Sequence, residues 1–110
     1  MLIIREAQMR AFEAAMRQAF EDRMVLDLAM PDESAARQLI RYGIEKCLGY
    51  GIDIEADMQL FLQLMATRSP DFEQEPGMSW ALGMLRQPDL SGSAKASTLF
   101  KRLNRSASLA

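Results

Sequence analysis

The chain has 110 residues, enough for one hydrophobic core that needs no disulfide or metal support and too few for two. Apolar residues make up 49% and charged residues 25%, a balance that excludes an intrinsically disordered chain. A net charge of -2 and an isoelectric point near 5.1 exclude the basic excess that usually draws a protein to nucleic acid or anionic lipid, so other proteins are the expected partners.

The first predicted element runs from Arg5 to about Met24 and extends to about Leu28 before Pro31. It is rich in strong helix formers, and Met9, Phe12, Met16, Phe20 and Met24 recur every three or four residues, the spacing of one helical face. Arg10, Gln18, Glu21 and Asp22 fall on the opposite side, and the four-residue offset of Arg23 and Asp27 beside the stripe predicts either a pair at its edge or the place where a partner covers it.

Asp32 or Ser34 can accept the first free amides of a second helix, with Glu33 adding a favourable charge at its start. This helix runs to about Leu48. Ala36, Leu39, Ile40, Gly43, Ile44, Cys47 and Leu48 keep helical spacing over four turns, the pattern of a helix that buries one stripe. Gly43 in mid-stripe predicts a close helix crossing there. Gly49-Tyr50-Gly51 stops the helix and turns a tight corner into a third, for which Asp53 is the expected cap. That third helix is apolar over more than half its circumference, through Ile54, Met58, Phe61, Leu62 and Met65 with Leu60 and Leu64 on a second flank, so it is the expected central helix.

Ser69-Pro70 ends the third helix, and an acidic loop carrying Asp71, Glu73 and Glu75 follows, anchored by Phe72. A short helix is predicted from about Ser79 to Arg86, with Trp80 as a packing anchor and Pro88 as its stop. After a Ser-Gly-Ser segment, a last helix over about residues 93–107 buries Ala96, Leu99, Phe100, Leu103 and Ala107. Its free face is expected to carry Lys95, Lys101, Arg102 and Arg105, and the last 20 residues hold these four basic groups and no acidic one. The whole reads as an all-α, single-domain bundle of about five helices.

Chemistry is sparse. Histidine is absent, which removes the commonest general base, and the single cysteine, Cys47, lies on an apolar stripe as a small hydrophobe. One cysteine without histidine cannot make a tetrahedral zinc site. Asp53, Glu55 and Asp57 alternate as in a calcium loop, but Met58 and Leu64 stand where the glycine and the bidentate glutamate belong, so acids at a helix start explain them better. The same acids would repel DNA in a helix-turn-helix arrangement. The chain is therefore expected to be no enzyme and to take no metal or cofactor. It begins without a signal-peptide pattern and contains no apolar run of membrane-spanning length, so a cytoplasmic location is expected.

Ile4-Arg5, Gln8-Met9, Phe12, Phe20 through Arg23-Met24, Ile40-Arg41-Tyr42-Gly43-Ile44, Tyr50-Gly51-Ile52, Leu64-Met65, Phe72 and Trp80-Ala81 form an ordered set of signatures over roughly residues 3–85. In these the chain resembles small helical proteins encoded beside type VI secretion effectors in Gram-negative bacteria, in particular the co-chaperone that pairs with an adaptor chaperone during effector loading. The resemblance implies a non-enzymatic cytoplasmic adaptor that binds an effector chaperone and helps deliver a toxin. An immunity protein that neutralises the toxin is the alternative. The basic tail lies outside the resemblance.

Nine methionines, several on helix stripes, fill irregular cores or furnish adaptable contact surfaces. The surplus of apolar helix surface predicts a partner face on the first or third helix, for which Met9, Met16, Leu60 and Leu64 are the candidates, with Tyr42 and Tyr50 as exposed aromatics near the corner. Uncovered, such a face also predicts homo-oligomers of the isolated chain.

Overall fold

In the computed structural model the backbone is described over residues 2–109 and the side chains over residues 8–104. Five helices follow one another among the described residues: α1 (Leu2–Leu28), α2 (Glu33–Gly49), α3 (Glu55–Thr67), α4 (Ser79–Leu85) and α5 (Gly92–Leu109), with a 3-10 turn over Phe72–Gln74. α3 is central, packed on α2 and α5, while α1 lies across α2 and α3. Ile40, Ile44, Cys47, Phe61, Leu62, Met65, Phe72 and Leu99 are buried in one continuous core.

Local chemistry explains the boundaries. Asp32 caps α2, its Oδ1 accepting from the amides of Ser34 at 2.9 Å and Ala35 at 3.3 Å, which satisfies donors that have no partner within the helix. At the other end Gly51 takes φ +81°, Ile52 N–H donates to the Cys47 carbonyl at 2.7 Å and Gly51 N–H to Leu48 at 3.1 Å. These two bonds define a Schellman cap, and the buried Ile52 and Cys47 provide its usual hydrophobic contact. A Cβ on Gly43 would stand 2.3 Å from Leu62 Cδ2 and 2.8 Å from Met65 Sδ, so the missing side chain is what lets α2 and α3 cross so closely.

Four expectations are corrected. Asp53 does not cap α3: the cap position is Ile54, which makes no side-chain cap bond, because the helix begins one residue later than an aspartate cap requires. Arg23 does not pair with Asp27; it reaches across to Glu55 at 3.5 Å and lies over the Phe20 ring. Glu21 is buried, held by Arg37 and by Arg41 at 2.7 Å. Lys95 is only 4% exposed, its ammonium donating to the Tyr50 carbonyl at 2.8 Å, so it braces α5 against the corner and leaves Lys101 and Arg102 on the open side. The side chains of Arg105 and Ala107 lie outside the described residues. Trp80 is half-buried with the Arg102 guanidinium 4.0 Å from its ring centroid.

Candidate functional site

α1 is 27 residues long, about 40 Å at 1.5 Å per residue, and of its described side chains the body of the bundle covers only those from Phe20 onward. Phe20 and Met24 are buried against the core, whereas every residue from Gln8 to Ala19 is exposed. Met9 is 62%, Phe12 66% and Met16 48% exposed. They lie on the same helical stripe as Phe20 and Met24, so the face that enters the core simply continues past the end of the body as an uncovered overhang. Large apolar side chains scattered singly on a surface are ordinary; a contiguous row of them on one face marks a contact site.

Beneath the overhang, where it leaves the body, a groove of about 370 Å³ separates α1 from the start of α3. Its apolar floor is Met16, Phe20 and Met58, and Glu13, Arg17, Asp53 and Glu55 stand on its walls. Ile54, more than half exposed, extends the apolar surface onto the same end of α3.

A polar cluster ties α2 to the acidic loop. The Lys46 ammonium donates to the Pro70 carbonyl at 2.8 Å, to Asp71 Oδ1 at 2.8 Å and to Glu73 Oε1 at 2.9 Å, so all three of its donors are used. Tyr50 donates to Glu73 Oε2 at 2.8 Å and Tyr42 donates to Asp71. Burial works against the Lys46 charge, but the bonds to Asp71 and Glu73 outweigh it and hold the ammonium above the ordinary lysine range. Lys46 and Tyr42 together hold Asp71 below the usual carboxylate range. Burial, then the bond to Glu73, pushes the Tyr50 phenol up. These are groups locked in their resting protonation states by mutual hydrogen bonds, an arrangement that fixes a loop. Beside them, burial pushes the Cys47 thiol up to about 12, which leaves it protonated and unreactive at neutral pH.

The six candidate residues therefore fall in three places. Met9 and Met16 lie together on the overhang. Tyr42 is exposed and Tyr50 half-buried, both in the polar cluster. Leu64 is a core residue at 3% exposure and Leu60 packs against that core, which corrects their assignment to a partner face: α5 covers the flank of α3 that the sequence leaves open. Phe12 was not singled out as a contact residue, although its place between Met9 and Met16 on one stripe is the signal for it, and Ile54 reads in sequence as a core position.

Comparison of the chain with protein-family models, with curated proteins and with solved structures gives no match. Among the described residues no helix is long and apolar enough to cross a membrane. The arrangement that distinguishes this molecule is the bared stripe of α1.

Proposed function

We propose that the chain is a non-enzymatic adaptor that docks onto a larger protein through the overhang of α1, and that this protein is an effector chaperone in a type VI secretion pathway, so that the chain assists loading of a toxin. The observation that carries the docking role is the row Met9, Phe12 and Met16, exposed on a helix whose next two stripe residues are buried. The resemblance to co-chaperones supplies the kind of partner. Helix faces of this type seat against complementary grooves or helices, and flexible methionines adapt to such contacts.

Co-expression with the products of adjacent genes tests the reading, which expects an effector adaptor chaperone among them. The chain and that chaperone should co-purify, and Phe12→Asp, which touches no core residue, should reduce the recovered complex by about tenfold or more, since a central aromatic is the usual energetic anchor of such a contact. The free chain should also bind a hydrophobic dye. A dye-silent chain that ignores the chaperone, or a complex indifferent to Phe12→Asp, overturns it.

A further inference from the structure

We infer that the groove between the α1 overhang and the start of α3 takes an amphipathic helix of a partner protein, apolar along one face and lined with lysine or arginine where it meets Asp53 and Glu55. The inference rests on the overhang being a docking face and adds the chemistry of what docks.

Charge is the argument. Three carboxylates, Glu13, Asp53 and Glu55, stand around the groove against one arginine, Arg17. Glu55 is shared with Arg23 through a long 3.5 Å contact, while Glu13 and Asp53 have no hydrogen bond or ion pair among the described residues. Acids flanking an apolar strip in this way favour a basic-edged helix and repel an acidic one, since like charges brought together at a drying interface cost more than they do in water. The groove's volume suits inserted side chains, so the occupant lies along α1 with its apolar residues directed at Met16, Phe20 and Met58.

A second copy of this chain is the competing occupant: antiparallel pairing of two overhangs would set Met9 of each against Met16 of the other, with Glu13 flanked by Arg10 and Arg17 on the same side of the helix, and the sedimentation arm of the experiment distinguishes it from a partner protein.

A synthetic helix of about 20 residues, with leucine at each a and d position and lysine at e and g, is titrated against the full chain, alongside its twin bearing glutamate at e and g. The lysine peptide should bind about tenfold more tightly, the scale of two or three charge pairs at a partly desolvated rim. Asp53→Lys with Glu55→Lys should reverse the preference, and circular dichroism checks that this surface variant is folded. Equal binding of both peptides, binding of neither, or a preference untouched by the reversal overturns the inference. So does a dimer in sedimentation that Phe12→Asp dissociates, because a second copy then occupies the face. If the charge preference is absent while Phe12→Asp still blocks chaperone capture, only the partner's chemistry is lost and the docking reading stands; if Phe12→Asp leaves capture intact, the docking reading itself is lost.

Discussion

Glu73 sits in the acidic link after α3 with its side chain fully shielded from water, and its two oxygens are met by Lys46 and Tyr50. A buried carboxylate is costly unless so met, which makes the effect of removing one partner much larger than the net value of the pair. Lys46→Met should therefore destabilise the fold by about 3–5 kcal/mol, whereas Lys46→Met combined with Glu73→Leu should recover most of that loss, as denaturant melts would show. The cluster also has a pH signature. Asp71 is held below its ordinary 3.8, so its contribution is complete above that value and lost as pH falls through the lower folded value. Lys46 is held above its ordinary 10.5, so its contribution is complete below that value and lost as pH rises through the higher folded one. Stability should erode outside these limits. The alkaline decline is shared with Cys47, Tyr50 and Tyr42, whose raised values add losses as pH climbs past their ordinary ones, so Lys46→Met should weaken that decline without abolishing it.

Among the elements, the described part of α1 divides at about Ala19, with every side chain from Gln8 to Ala19 exposed and Phe20, Glu21 and Met24 buried beyond it. Deleting residues 1–15 should leave the melting temperature of the remaining body within about 2 °C, because every described side chain removed, Gln8 to Ala15, is exposed, while Phe20→Ala should cost about 3–5 kcal/mol by opening a cavity under the same helix. Thermal melts of the two variants separate the outcomes, and a large loss on deletion would mean the overhang supports the body. This division was not legible in the sequence. Periodicity finds the stripe of Met9, Phe12, Met16, Phe20 and Met24 but carries no mark of where the covering helices end. The α2 stripe, the cap at Asp32 or Ser34 and the Gly51 corner were legible because each depends on residues a few positions apart, and the crossing at Gly43 because a glycine in mid-stripe marks it even though Leu62 and Met65 lie about 20 positions on. Lys95 and Glu73 were not: a lysine on a basic helix and a glutamate in an acidic loop read as solvated, and only the fold brings them to the Tyr50 carbonyl and the Lys46 ammonium. Leu64 failed for the related reason that its cover, α5, comes from about 30 residues further along the chain.

At the scale of the molecule, a compact chain of this length has a radius of gyration of about 13 Å, whereas this one has 15.4 Å and extents of 56 × 38 × 19 Å. The exposed stretch of α1 from Gln8 to Ala19 contributes to this excess, so the shape and the proposed docking role have one origin. Small-angle scattering should give close to 15.4 Å for the intact monomer and fall towards about 13 Å when residues 1–15 are removed. Hydrogen exchange completes the test: amides of residues 8–19 should exchange far faster than those of α3, since an isolated helical stretch of that length is marginal in water without packing. On binding a partner the same amides should become protected while those of α3 barely change. An intact chain that scatters as a compact globule, with residues 8–19 already protected, would mean that the overhang folds back and covers its own stripe, leaving no open face for another protein to complete.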